Sequence, residues 1–225
     1  MNNYAFVGEK PWLDEIFDQL SKRENEHWVR IKSKENFVPA NLEHLSIQKV
    51  FVPHWSYIIP RSVWENFECI VFHMTDLPFG RGGSPLQNLV ARGIKETKIS
   101  ALLVEDGIDT GRIYLKKPMS LLGTAEEIFI RSAAVIREMI EEILNTDPQP
   151  KEQQGEPTVF KRRKPTDSNI RQVDNLDALY DYVRMLDCVG YPPAFLETEF
   201  FRFEFSRASL KADKSIIADV RIIKK

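Results

Sequence analysis

The chain has 225 residues, 43% of them hydrophobic and 28% charged, with a formal net charge of −2 and a pI near 6.1. That length suffices for one sizeable core, or for a domain with a small appendage. The charge balance argues against a nucleic-acid or membrane-surface protein, and no apolar run approaches the roughly 20 residues that cross a bilayer.

Two cysteines, Cys69 and Cys188, stand far apart in apolar company. They read as buried free thiols in a reducing, cytoplasmic setting. The first residues lack the basic and apolar regions of a signal peptide. No Cys/His cluster has metal-ligand spacing, so no metal is expected.

In chain order, Tyr4 to Val7 reads as a first strand that turns at Gly8. Pro11 suits a first helical turn, and Trp12, Ile16, Phe17 and Leu20 recur at helical spacing. His27 to Ile31 is a second strand and Gln48 to Val52 a third, stopped by Pro53. A short helix carries Val63, Trp64 and Phe67. Cys69 to Phe72 is a fourth apolar strand ending on His73. Strands alternating with helices predict an α/β fold, a Rossmann-like open and mainly parallel sheet.

A turn-rich segment from Met74 to Pro85 follows, then a short helix to Ala91. Ile99 to Val104 is the next strand, and it runs into Glu105-Asp106-Gly107-Ile108-Asp109-Thr110-Gly111. Both apolar runs thus stop at polar residues in glycine-bearing loops, the way an open sheet presents chemistry at the carboxyl ends of its strands. Thr124 and Glu127 give a capping-box signal ahead of a long helix with a core-facing stripe. Residues 147–158, rich in proline and glutamine, divide a domain at 1–146 from a helix-plus-hairpin subdomain at 159–225. In that subdomain Lys161 to Lys164 is a basic run, Asp174 is placed to cap a helix, and Phe201, Phe203 and Phe205 alternate with polar residues along a strand.

From the residues alone, His73 and Asp109 are the pair with chemistry. A carboxylate fixes an imidazole's tautomer and strengthens it as a general base. A structural histidine at a strand end is the other reading.

The loop grammar adds to this. His73 to Pro78, then Arg81-Gly82-Gly83-Ser84-Pro85, then Asp109-Thr110-Gly111 resemble the formyltransferases that use 10-formyltetrahydrofolate. Residues 57–60, Tyr-Ile-Ile-Pro, are similar to the family's segment ahead of the histidine strand. The resemblance covers roughly residues 1–145. It implies direct transfer of a formyl group to a primary amine, with His73 and Asp109 as the catalytic pair. It implies a pterin slot lined by Tyr57, Ile58, Ile59, Leu77, Pro78, Val104, Glu105, Asp106, Gly107 and Ile108. One position departs from the pattern. The family's asparagine, two residues before the histidine, is Val71 here. Asn88, beside the same loop, is the residue considered as a replacement donor.

For the acceptor, the sequence favours a nucleotide-linked amino sugar. The tail is short, the chain has no basic excess, and residues 53–89 and 175–195 are similar to small bacterial sugar-nucleotide formyltransferases of the pseudaminic-acid pathway type. Lys10, His54, Trp55, Arg81, Gly82, Gly83 and Tyr191 are the expected substrate contacts, and the partners expected are a small molecule, no nucleic acid and no membrane. A folate-binding relic without turnover, and a formyltransferase acting on a carrier-bound aminoacyl group, are the alternatives. The terminal hairpin leaves two uses open, pairing across a homodimer or capping its own core.

Overall fold

A computed structural model describes residues 2–225. In chain order the strands are β1 (Asn2–Val7), β2 (Glu26–Ile31), β3 (Lys49–Val52), β4 (Glu68–His73), β5 (Arg81–Gly82), β6 (Glu96–Leu103), β7 (Ile113–Ser120), β8 (Val159–Phe160), β9 (Ala194–Glu197), β10 (Phe201–Leu210) and β11 (Ile216–Lys224). The helices are α1 (Asp14–Leu20), α2 (Pro39–His44), α3 (Arg61–Trp64), α4 (Pro85–Val90), α5 (Ala125–Thr146) and α6 (Leu176–Arg184). The chain divides into two compact units, one of Met1–Arg81, Lys98–Met119 and Ile130–Val159, the other of Gly82–Thr97, Ser120–Phe129 and Phe160–Lys225.

The first unit is built on a six-stranded sheet ordered β2-β1-β3-β4-β6-β7. β1 pairs in parallel with β2 and β3, and β3 pairs in parallel with β4. β1, β3 and β4 carry near-continuous apolar runs because helices and loops cover both faces of the sheet there, whereas β2, at the sheet edge, mixes Trp28, Val29 and Ile31 with Glu26, His27 and Arg30. One face buries Ala5, Val7, Val50, Val52 and Cys69 against Ile59 and Val63, with Val71, Trp64, Phe67 and Val104 packed on the same cluster. Burial pushes the Cys69 thiol up to about 12, and the neighbouring Glu68 charge adds to it. Cys188 is only half-buried, contrary to expectation, because it follows α6 rather than sitting within an element.

β6 departs from the parallel pattern. It runs antiparallel to β4, with His73 opposite Ser100 and Ile70 opposite Leu103. The second apolar run therefore ends beside the start of β4, where the Val104 N–H donates to the Cys69 carbonyl at 2.8 Å. Apolar runs of equal hydrophobicity carry no mark of direction, so the sequence pattern could not show this reversal.

The second unit holds α4, α6 and a three-stranded sheet ordered β11-β10-β9. Phe203 pairs with Leu196 on one side and Ile222 on the other, as the alternation predicted for β10 and β11. Asn175, not Asp174, caps α6, its Oδ1 accepting from the Ala178 N–H at 2.8 Å. The capping box ahead of α5 forms, with the Thr124 N–H donating to Glu127 Oε2 at 2.7 Å and the Glu127 N–H donating to Thr124 Oγ1 at 3.3 Å. Among the described residues no helix is long and apolar enough to cross a membrane, and no group of acidic, histidine or cysteine side chains is arranged to hold a metal.

Candidate active site

β4 delivers His73 to the sheet end with its side chain 9% exposed. The chain then turns back so that the Gly80 carbonyl lies 2.7 Å from His73 Nε2. A carbonyl only accepts, so Nε2 carries a hydrogen, and Nδ1 is the ring atom at which a proton is gained or lost. Thr75 Oγ1 donates to the same Gly80 oxygen at 3.3 Å. The loop is held from β6: Ser100 Oγ donates to the Thr75 carbonyl at 2.7 Å and accepts from the Leu77 N–H at 3.3 Å. Lys116 reaches the Leu77 carbonyl and pairs with Asp76.

Asp109 arrives from the other direction. Its loop leaves β6 at the Cys69 level, about 13 Å along β4 from His73 at roughly 3.3 Å per residue, and folds back toward it. Its Oδ2 lies 3.5 Å from His73 Nδ1. The pair expected from sequence is thus formed, by loop return rather than by two strands ending side by side. Asp109 has φ of +53°, a left-handed conformation that a non-glycine residue holds only under constraint. Gly111 follows because a Cβ there would sit 1.8 Å from the Leu103 carbonyl oxygen.

The constraint comes from a residue outside the sequence expectation. Gln153 lies in the proline- and glutamine-rich stretch, which has little regular structure but is tied down. Lys151 and Ile113 exchange backbone hydrogen bonds of 2.8 and 2.9 Å, and the Thr158 carbonyl accepts from the Gly80 and Arg81 N–H groups at 3.0 and 2.9 Å. Between those anchors Gln153 Nε2 donates to the Asp109 and Gly111 carbonyls, both at 2.8 Å. Its Oε1 accepts from Arg81 Nε at 3.1 Å and Nη2 at 2.7 Å. No short motif marks such a residue; only its distance in space from the loop does.

Arg81, expected as a substrate contact, therefore braces the loop through Gln153. Asn88, expected as a replacement donor, spends its amide on the carbonyls of Gly83, Ser84 and Lys161 at 3.0, 3.1 and 2.9 Å. Two hydrogens shared among three carbonyls leave none for an oxyanion. Val71 is on β4 two residues before His73, hence on the same face, and presents only an isopropyl group to the core cluster. Gly82 and Gly83 are glycines for space: a Cβ would come within 2.5 Å of the Phe160 oxygen and 2.6 Å of Arg162 Cβ respectively.

Lys10 pairs with Glu9 at 3.6 Å, and its carbonyl accepts from Arg30. His54 stacks edge-on against Trp12, with ring centroids 5.4 Å apart. Burial lowers its pKa to about 4, and the Lys10 charge adds to the shift. Trp55 packs between Phe37 and Tyr57. Tyr191 stacks on Phe129 at 5.3 Å, and burial raises its hydroxyl above the usual tyrosine value.

The expected pterin slot divides into buried and open residues. Ile59 and Leu77 are buried and Pro78 is covered, which makes them walls or core. Tyr57, Ile58 and Ile108 are exposed, Ile58 at 77%, and so is Phe79 of the histidine loop. Glu105 is held by Arg112, the Asp106 carbonyl accepts from Thr110, and Gly107 takes a positive φ of 96° in the same turn. A groove of about 380 Å³ opens with Trp64, Phe67, Leu103 and Val104 on its apolar side and Glu65, Asn66, Glu68 and Glu105 on its polar side. Apolar side chains on one side, with carboxylates, an amide and turn backbone on the other, suit a flat heteroaromatic ring that carries ring N–H and amino donors, so the residues present fit a pterin.

Comparison with known proteins agrees on the fold. Residues 165–223 match the family model described as methionyl-tRNA formyltransferase, C-terminal domain. A solved structure described as methionyl-tRNA formyltransferase from Clostridium thermocellum is 47% identical and superposes with a TM-score of 0.97, each chain covering all of the other. The architecture is the formyltransferase fold. The chain belongs to the methionyl-tRNA formyltransferase family. The methionyl-tRNA formyltransferase of Thermodesulfovibrio yellowstonii is 28% identical over 158 residues, 67% of this chain and 51% of that protein. The chain spans about half the length of the curated relatives it matches.

These relatives overturn the sugar-nucleotide acceptor. A 4-N formyltransferase from Francisella tularensis is 12% identical at a TM-score of 0.68 over 97% of this chain and 96% of its own, a likeness of fold alone. The expected partner set, a small nucleotide sugar and no nucleic acid, falls with it. The expectation leaned on a net charge of −2, a sum over the whole chain that carries no information on where charge lies; the basic run is local, with Lys161, Arg162 and Lys164 exposed just ahead of the matched C-terminal region.

Proposed function

We propose that this chain transfers a formyl group from 10-formyltetrahydrofolate to the amino group of an aminoacyl group carried on tRNA, with methionyl-tRNA as the acceptor. The observation that carries the reading is the His73–Asp109 pair, with Nε2 locked to Gly80 and Nδ1 turned to the carboxylate at 3.5 Å. The full-length likeness to the Clostridium thermocellum protein supports the choice of acceptor. When bound, 10-formyltetrahydrofolate supplies the activated formyl carbon; Val104 to Ile108 with Tyr57 and Ile58 are the residues to hold its ring.

The chain's own part is to bind, orient and move one proton. With Nε2 hydrogen-bonded to a carbonyl, Nδ1 is the ring atom that accepts the proton shed by the acceptor amine. The Asp109 carboxylate then faces an imidazolium and stabilises it until the ring returns that proton to the nitrogen that releases the formyl group. Burial of His73 keeps bulk water from competing for that proton.

The test is an assay of tetrahydrofolate release and formyl-aminoacyl product, using 10-formyltetrahydrofolate and tRNA charged with methionine or with other amino acids. Formylation of methionyl-tRNA and none of uncharged tRNA is the expected result. Folate binding with no transfer to any aminoacyl-tRNA would overturn the reading.

A further inference from the structure

The imidazole of His73 is gripped on both sides by loops that one side chain joins. On the Nε2 side is the Gly80 carbonyl, and the next residue is Arg81. On the Nδ1 side is Asp109. Gln153 bonds to Arg81 through Oε1 and to the backbone of Asp109 and Gly111 through Nε2, which closes a ring of contacts around the histidine.

We propose that Gln153 is a positioning residue that sets the contact between the Asp109 carboxylate and His73 Nδ1. The proposal rests on the formyl-transfer reading for its effect on rate, but not for its effect on the imidazole. Arg81 offers only donors and the two loop carbonyls only accept, so the residue between them must present an acceptor to one and two hydrogens to the other. A glutamine amide does both, and all of its hydrogen-bonding capacity is used here. Glutamate would turn a second acceptor toward two carbonyls, and an apolar residue would supply neither group. Asp109 is the loop residue that most needs such a hold, because its φ of +53° is not the preferred state of an L-residue. Gln153 is itself fixed by the Lys151–Ile113 bridge before it and the Thr158 contacts after it. A misplacement of about 1 Å at such a pair costs on the order of a hundredfold in rate.

The experiment compares wild type with Gln153→Glu and Gln153→Met, using two readouts. The first is steady-state kinetics: kcat falls tenfold to a hundredfold, while KM for the folate and for methionyl-tRNA changes less than threefold. In the double variant with Asp109→Asn the Gln153 substitution adds no further loss, because it acts through that carboxylate. The second readout is the ring ¹⁵N signals of His73 in labelled protein, which move toward those of Asp109→Asn in whichever Gln153 variant retains the wild-type melting temperature. His73 signals and kcat unchanged from wild type in a folded variant would overturn the proposal. A wild-type protein that transfers nothing, yet whose His73 signals respond to Gln153, would defeat the transfer reading and leave the positioning role standing.

Discussion

His73 lies opposite Ser100 across the β4–β6 ladder, and Ser100 holds the loop that His73 feeds. Its hydroxyl donates to the Thr75 carbonyl and accepts from the Leu77 N–H, and it is fully buried. Ser100→Ala leaves one acceptor and one donor buried without partners. The expected loss is about 1–3 kcal/mol of stability, read as a lower urea midpoint. A midpoint equal to wild type would show that the loop is held by other means.

Val71→Asn restores a side-chain donor on the His73 face of β4. One oxyanion donor contributes on the order of 10²–10³ in kcat in enzymes of this kind of chemistry. The variant is expected to turn over at least tenfold faster while unfolding at lower denaturant, since Val71 packs on the core cluster with Val63 and Val104. A rate no higher than wild type would mean that another group already supplies the donor.

His54 ties stability to pH. Its imidazole titrates near 4 in the folded chain against an ordinary 6.5, chiefly through burial. Between those values the unfolded chain holds more protons, so acid favours unfolding, and stability falls as pH drops from 6.5 toward 4. The contribution reaches up to about 3 kcal/mol. Urea titrations at pH 7 and pH 4.5 should show a smaller difference for His54→Gln than for wild type. An equal difference would remove His54 from the account.

The strands that carry the site were legible because each is an apolar run bounded by turn residues, and so was the α5 capping box. Strand direction was not legible: the buried half of β6, from Ile99 onward, is as apolar as a parallel strand apart from Ser100, and it runs the other way. The His73–Asp109 pair emerged from loop motifs, although the route of the Asp109 loop did not. Gln153 was invisible because its role exists only when residues 44 and 72 positions away come to its side chain. Asn88 misled for a related reason. Its amide hydrogens are committed to the carbonyls of Gly83, Ser84 and Lys161, which no sequence pattern displays.

The central claim is that His73 and Asp109 together carry formyl transfer to methionyl-tRNA. The most direct measurement is single-turnover formylation of that acceptor by wild type, His73→Ala and Asp109→Asn, each shown to be folded by its melting temperature. The account predicts transfer by wild type and a loss of at least a hundredfold in both variants, in line with the 10²–10⁴ contributed by general acid–base catalysis. Near-wild-type rates in either folded variant would contradict it.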